Sequence, residues 1–303
     1  VDARSLEILR AVHVQGGVTA AAATLHLTPS AVSQHVAGLQ REVGVPLTER
    51  VGRGLRLTAA GVALADAAVD VAVALARARG AVDAYLARPA GVVRVSAFQS
   101  GAQLLLPGLL SRVADLEGVV VECSDEDVAQ DDFVALTDQV DVVVAHRPDD
   151  GRSWSAPGVE VVPLLREPLD VAVPPDHPFA RRRSVPPGEL AGVDWVAVRE
   201  GFPVATVLAA VARRSGDVPR VVHRINDFHV AASFVAAGHG VALLPRYTFG
   251  DDPRVRLVPL ADVRAGRRID ALLRADRAER VVVRRVLDEL RALADRIGGP
   301  TAS

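Results

Sequence analysis

Lysine and methionine are absent from this chain, asparagine occurs once, at Asn226, and cysteine once, at Cys123. A single cysteine excludes an intrachain disulfide and a Cys-based zinc site. Its setting, "VVVEC", reads as a buried strand, with the thiol as plain core. The missing residue types have AT-rich codons, which points to a high-GC bacterial genome and to Val1 as a GTG start read literally. Aromatic residues make up only 4% of a chain that is 50% hydrophobic, so its cores must be built from Ala, Val and Leu. Charge of one sign is also lacking: the net charge of −2 says nothing about partners. The first 58 residues, however, carry Arg4, Arg10, Arg41, Arg50, Arg53 and Arg56 against Asp2, Glu7, Glu42 and Glu49, leaving +2 there and −4 in the remainder. That asymmetry permits a nucleic-acid partner without requiring one.

No long uninterrupted hydrophobic run is present. The most apolar stretch, 62–82, contains Asp66, Asp70, Arg77 and Arg79, and no membrane span is expected there. The opening "VDARSLEILRAV" has acids and no apolar core, unlike a signal peptide, so a cytoplasmic location is expected. At 303 residues the chain accommodates two or three compact units, at about 100–200 residues each.

Signatures of catalysis are missing too. His13, His26, His35, His146, His177, His223, His229 and His239 show no metal-ligand spacing, so no metal is expected. "SDEDVAQDD" lacks the Gly and terminal Glu of a calcium loop. Gly238-His239-Gly240 precedes a strand, whereas a dinucleotide-binding loop follows one. Neither a Gly-x-Ser-x-Gly elbow nor a P-loop occurs. No cofactor and no enzymatic activity are expected.

Residues 2–15 read as a helix with Leu6, Leu9 and Val12 inward, stopped by Gly16-Gly17. Thr19 is expected to cap a short second helix. After a tight turn, Thr28 is an N-cap and Pro29 suits the first helical position. Val32, Val36, Leu39 and Val43 then form a buried stripe. Ser30, Gln34 and Arg41, flanked by Ser33 and Ala37, fall on the opposite side. These are small or hydrogen-bonding groups with one charge, a composition suited to a DNA groove. Two short extended runs around Gly52-Arg53-Gly54 read as a basic hairpin whose glycines tolerate positive φ. The order is that of a winged helix-turn-helix, with the helix-turn-helix at about 18–37.

Thr58 caps a long helix expected to run to about Arg88. Leu57, Gly61, Leu64, Ala68, Val71, Leu75, Ala78, Val82 and Tyr85 alternate four and three apart, a heptad seam that wants a partner helix, most simply its own copy. Beyond Pro89 the period changes. Strand and helix patterns alternate through "VVRVSAF", "GAQLLLPGLLSRVADL", "VVVEC", "DVAQDDFVALTDQV" and "DVVVAH". A second set follows: "LDVAVP", "DWVAV", a helix near 204–215, "RVVHRI", a helix near 227–237 and "GVALLP". A strand at 266–274 and a helix at 277–297 close the chain. Such alternation implies a parallel sheet covered on both faces. The Pro-rich run around Arg181, Arg182 and Arg183 reads as an exposed loop.

These residues resemble the LysR-type transcriptional regulators over essentially the whole chain. The strongest part is "VTAAAATLHLTPSAVSQHVAGLQREVGVPLTERVGRGLRLTAAG", 18–61; "DHPFARR", "ELAGVDWV" and "VAAGHGVALLP" add to it. Three departures stand out. Thr48 stands where the family usually has Phe or Leu, Thr28-Pro29-Ser30 replaces a frequent Ser-Gln-Pro, and the seam contains Gly61 and several Ala.

The resemblance implies an α/β protein with an N-terminal winged helix-turn-helix (1–58) and a linker or dimerisation helix (59–89). It also implies an effector domain like a periplasmic binding protein, in two α/β subdomains (91–161 with 267–300, and 162–266). The implied partners are double-stranded DNA at a pseudo-palindromic site, a small-molecule effector and further copies of the chain, as dimer or tetramer. Thr28, Pro29, Ser30, Ser33, Gln34, Arg41, Arg50 and Arg53 are the candidate DNA-binding residues. Ser100, Gly101, Ser124, Phe202, Pro203 and Asn226 are the candidate effector contacts. Ser100 would begin a helix facing the cleft, where free N–H groups favour an anion; a simple helix cap is the other reading. Asp125 and Asp127, if they face the same cleft, would favour an amino acid over a simple organic acid. The rival reading is a small-molecule binding protein or enzyme of the same fold without DNA function.

Overall fold

The computed structural model describes residues 1–51, 54–85, 90–126 and 128–299. It begins with α1 (Ala3–Val14), α2 (Val18–Thr24) and α3 (Pro29–Val43), followed by the strands β1 (Thr48–Val51) and β2 (Gly54–Leu57). Asp2 caps α1 by accepting from the Ser5 N–H at 2.9 Å, and Gly16 ends it at φ 73°. Thr19 does not cap α2. The helix starts two residues earlier, with Gly17 at the N-cap position and no side-chain cap bond, because the glycine pair carries the chain straight into the helix. The turn between α2 and α3 holds His26 in the left-handed region (φ 54°), a place where glycine would be unstrained. Thr28 caps α3 through Ala31 N–H at 3.2 Å, Pro29 opens the helix and Gly44 closes it at φ 74°. Leu6, Ile8, Leu9, Val32, Val36, Leu39 and Leu47 meet in one core, which Leu57, Ala65 and Ala68 complete.

β1 and β2 form a hairpin in which Val51 faces Gly54, so Gly54 is a strand residue with no positive φ and not part of the tip. The tip residues Gly52 and Arg53 lie outside the described residues. Thr48 is half-buried beside Leu47, which supplies the apolar root of the wing from one position earlier.

The long helix α4 (Ala59–Tyr85) starts at Thr58, whose Oγ1 accepts from Gly61 N–H at 3.1 Å and donates to Pro46 C=O at 2.8 Å. Its expected seam splits into two parts. Leu57, Gly61 and Ala68 are buried in the N-terminal unit, while Val71, Leu75 and Val82 are 39%, 47% and 58% exposed. Gly61 is a close-approach residue: a Cβ there would stand 2.0 Å from the Leu47 carbonyl oxygen. The expectation that charges alone forbid a membrane span here needs correcting. Ala59–Val82, with a mean hydropathy of 1.8, is long and apolar enough to cross one. The expected end of the helix near Arg88 and Pro89 lies outside the described residues.

The rest of the chain builds two α/β subdomains. The first has β3 (Gly91–Ala97), α5 (Gln99–Val113), β4 (Val119–Asp125), α6 (Phe133–Leu136) and β5 (Val142–Pro148). The long β6 (Val159–Val173) leads to β7 (Asp194–Ala197), α7 (Pro203–Ser215), β8 (Arg220–Arg224), α8 (Phe228–Ala236), β9 (Ala242–Pro245), α9 (Arg246–Phe249) and β10 (Arg256–Val258). β11 (Gly266–Arg274) returns to the first subdomain, and α10 (Ala275–Ala278) and α11 (Val281–Gly298) cover it. Only part of the main sheet is parallel. In it β3 pairs in parallel with β4 and β5, whereas β11 runs antiparallel to β5 and β6, and β6 antiparallel to β9 and β10; β7 and β8 form a separate parallel pair. The cause is the return of the chain from one subdomain to the other. β6 pairs with β11 as far as Pro168 and with β9 from Leu169, so the crossing lies beyond the expected 161/162.

Two further expectations change. "DVAQDDFVALTDQV" forms only a 3-10 turn at Gln130–Asp132 and the single turn α6, since its acids and Gln offer too few apolar positions for a longer buried stripe. Cys123 is exposed rather than buried, because β4 is the edge strand of its sheet. Partial burial pushes its thiol upward, away from the thiolate form that redox chemistry uses.

Candidate DNA-reading helix and inter-subdomain cleft

α3 presents Ser30, Ser33, Gln34, Ala37 and Arg41 fully to solvent, while Val32, Val36 and Leu39 are buried behind them. Thr28 and Pro29 are exposed at its N-terminus, so the helix end is open to a phosphate. Arg41 Nε bonds back to Ala37 C=O at 3.3 Å. Arg50 on β1 and Arg56 on β2 are exposed on the wing. Arg53 lies outside the described residues.

The second site lies between the subdomains. It is centred on Arg267, completely buried at the start of β11. Its guanidinium donates to Glu167 Oε2 from Nε at 3.0 Å and from Nη2 at 2.6 Å. Nη2 also donates to Ser100 Oγ at 2.9 Å. Nη1 has no partner among the described residues. The Phe98 ring lies 4.8 Å and the Phe228 ring 5.7 Å from the guanidinium carbon, both within cation–π range. His146 stacks on Phe98 at 4.1 Å and has an unpartnered Nδ1. Burial, and then the charge of Arg267, pushes its pKa well below the ordinary value, so the imidazole is neutral.

Of the candidate effector contacts, Ser100, Phe202 and Asn226 line this cleft. Asn226 Oδ1 accepts from Arg199 N–H at 2.9 Å. Ser100 is no helix cap, since the N-cap of α5 is Phe98 and the Ser100 hydroxyl faces Arg267. Gly101 is buried and leaves room for the Phe98 ring, which a Cβ would meet at 2.6 Å. Pro203 is the first residue of α7. Ser124 and Asp125 are exposed at the end of β4 and take no part in the lining, because the edge strand carries them outward. Asp127 lies outside the described residues.

Arg267, Glu167 and His146 were not singled out by sequence. Arg267 and His146 lie inside strand patterns and Glu167 just before one, and neither their burial nor their meeting is visible in local spacing.

Two hydrogen bonds join the cleft walls. Gln99 Nε2 donates to Asp227 Oδ2 at 2.9 Å, and Gln103 Oε1 lies 2.7 Å from His229 Nε2. The Asp227 carboxyl is held below its usual range, first by Gln99 and then by the N–H groups of α8. The space enclosed by the cleft is about 20 Å³, room for one water. A larger cavity of about 340 Å³ lies under α7 beside β7 and β8, and shares Val198, Val204 and Phe228 with the cleft. Its lining is mainly apolar, with Trp195, Leu208 and Val221 among the walls. Among the described residues, no group of three or more His, Cys, Asp or Glu is placed to hold a metal ion.

Comparison with known proteins agrees with this layout. Residues 3–62 match the family described as bacterial regulatory helix-turn-helix protein, lysR family, and residues 86–295 match the LysR substrate binding domain. The chain is 28% identical over 222 residues to the transcriptional dual regulator GltC of Bacillus subtilis, covering 73% of each chain. It is also 28% identical over 252 residues to the transcriptional regulator CbbR of Xanthobacter flavus, covering 81% of this chain and 73% of that one. Among solved structures, ArgP of Mycobacterium tuberculosis shares the fold with a TM-score of 0.65 at 22% identity, over 99% of this chain and 100% of that one. The two matched segments span the helix-turn-helix and both subdomains, and the chain belongs to the LysR family of bacterial DNA-binding transcriptional regulators.

Proposed function

We propose that the exposed polar side of α3 reads base edges in the major groove, with Ser30, Ser33 and Gln34 as the reading residues. Thr28 and Pro29 bring the N-terminus of α3 to a phosphate, and Arg41, Arg50 and Arg53 supply the backbone contacts that give most of the affinity. The observation that carries this reading is the contrast within one helix: Val32, Val36 and Leu39 are buried, while every residue on the opposite side is small or hydrogen-bonding and exposed. A second copy, paired along Val71, Leu75 and Val82, would present two such helices to a pseudo-palindromic site. The protein works in the cytoplasm, where the DNA is. Footprinting of the DNA upstream of its own coding sequence tests the reading. Two protected half-sites are expected, and they are lost when Ser33 and Gln34 are both replaced by Ala.

The cleft takes a small organic acid as effector. The unpartnered Nη1 of Arg267 is a buried donor, costly to leave unmade by about 1–3 kcal/mol, and a ligand carboxylate or carbonyl oxygen would satisfy it. The rings of Phe98, Phe202 and Phe228 supply apolar wall around it, and His146 is neutral. The cavity under α7 offers space for an apolar body continuous with that head group. Asp125 is outside the lining and Asp127 lies outside the described residues, so no described acid in the lining favours an amino acid over an organic acid. Calorimetry with acetate, hexanoate and benzoate tests the class. Hexanoate or benzoate should bind more tightly than acetate, and Arg267→Met should abolish binding of all of them.

A further inference from the structure

The DNA-binding unit touches the first effector subdomain through charged groups rather than through a shared core. The apolar cluster of α1–α3 and that of the first subdomain have no residue in common. Between them lie Glu7 and Arg10 on α1, Asp138 after α6, and Arg274 at the end of β11. Arg10 Nη2 donates to Asp138 Oδ1 at 2.5 Å, and Gln15 Nε2 donates to Asp138 Oδ2 at 2.9 Å. Arg274 donates to Glu7 Oε1 at 2.7 Å, Glu7 Oε2 at 3.2 Å and Asp138 Oδ1 at 3.2 Å. Arg10 and Glu7 pair with each other at 3.0 Å, and Asp276 holds Arg274 at 2.9 Å. These are not surface ion pairs: Arg10, Asp138 and Arg274 are all under 10% exposed.

A buried ionic network of this kind adds little net stability over apolar packing, but it fails when one partner is lost, so it fixes one geometry sharply. A cavity of about 220 Å³ lies beside it, between Val69, Val134 and Pro157. On its other side runs the groove along Val71 and Leu75 of α4, the face proposed above to take the second copy. A polar contact beside a gap can part and re-form, as a continuous apolar core cannot.

The same strand reaches both sites. β11 carries Arg267 in the cleft and Arg274 in the network, seven residues apart and roughly 23 Å along the strand. It pairs with β6 along its whole length, with one irregularity at Ile269–Asp270, and with β5 from Arg267 to Leu272, so the two arginines stand on one continuous strand.

We propose that Glu7, Arg10, Asp138 and Arg274 form a polar joint that sets the orientation of the DNA-binding unit on the effector domain, and that β11 couples this joint to the cleft. The coupling half rests on the effector reading of the cleft. Ligand that engages Arg267 shifts β11, and Arg274 then passes the shift to α1, two helices from the DNA-reading face. Coupling of this type needs an element with two arrangements that both sites bias, and the gapped joint supplies it.

The test uses the full chain without ligand. Spin labels are placed on the native Cys123, exposed in the first subdomain, and on an Ala37→Cys substitution on the outer side of α3. Labelled protein is diluted with unlabelled protein so that one chain per assembly reports. Wild type should give one narrow distance by pulsed dipolar spectroscopy, and Asp138→Asn and Arg274→Gln should each broaden it, with helix content by circular dichroism unchanged. An unchanged distribution in both variants overturns the joint. For the coupling, Arg267→Met should shift or broaden the same distance, and Ser100→Ala serves if that variant does not fold. An unchanged distance there overturns the coupling. Because both arms are read without ligand, a failure to find any binder would remove the effector reading and leave the joint intact.

Discussion

Arg267 Nη2 lies 2.9 Å from Ser100 Oγ, a contact between residues 167 positions apart in the chain. It joins the strand that closes the first subdomain to the helix that opens it, and the ring of Phe98 covers it. The pair turns a crossover strand into part of a cleft wall. The serine is legible in sequence as a residue near a helix start. The arginine is one of many in this chain, and only the meeting of β11, β6 and α5 buries it completely.

The wing gives a prediction in salt. Arg50→Ala and Arg53→Ala should each lower affinity for any DNA. Each should also reduce the slope of log affinity against log salt by about 0.9, the value for one phosphate contact. Anisotropy titrations between low and high salt measure this. An unchanged slope for both variants would place the wing away from the DNA.

A second prediction concerns the linker helix. Val71, Leu75 and Val82 are its exposed large apolar side chains among the described residues, while Leu64 packs partly against the DNA-binding core. Leu75→Asp with Val82→Asp should therefore leave the fold intact and produce monomers in sedimentation. Leu64→Asp should instead lower the melting temperature of the DNA-binding unit. Retention of the native assembly by the first variant would remove α4 from the interface.

The cleft histidine sets a pH dependence. Burial, and then the Arg267 charge, holds the folded-state pKa of His146 well below 6.5. Below that pH the unfolded chain binds a proton that the fold does not, so stability present at neutral pH falls as pH drops. The fall should approach about 1.4 kcal/mol per pH unit from this one group. Urea unfolding of wild type and His146→Leu between pH 7 and pH 5 should show the shallower loss in the variant. Equal slopes would mean that His146 titrates normally.

Glu7 gives an acid-side prediction for the contact between units. Burial alone would raise its pKa, but hydrogen bonds from Arg10 and Arg274 outweigh that and hold it at about 2. Its share of stability is present above its ordinary value of 4.5 and lost as pH falls toward 2. Unfolding curves of Glu7→Gln should therefore converge with those of wild type across that window. A gap that stays constant down to pH 2 would contradict the depressed value.

Local chemistry made the first part of the fold readable. Thr28, Pro29 and Gly44 bound α3 through caps that act over a few residues, and the period of Val32, Val36 and Leu39 shows which side is buried. The strand expected at 266–274 is observed over those residues. What pattern could not reach is non-local. Cys123 stands in an apolar run yet is exposed, because its strand pairs on one side only. Gly61 looks like a weak place in a heptad and is instead where α4 meets the Leu47 carbonyl. Ser124 and Asp125 share β4 with apolar residues, and only the direction of the sheet edge keeps them from the cleft.

The central claim is that the outer side of α3 reads sequence. It is tested most directly by binding wild type and Gln34→Ala to a site selected from random DNA and to a scrambled duplex of the same length. The expected result is that Gln34→Ala loses about 1–3 kcal/mol on the selected site and nothing on the scrambled one. An equal loss on both duplexes, or no enriched site at all, would contradict it.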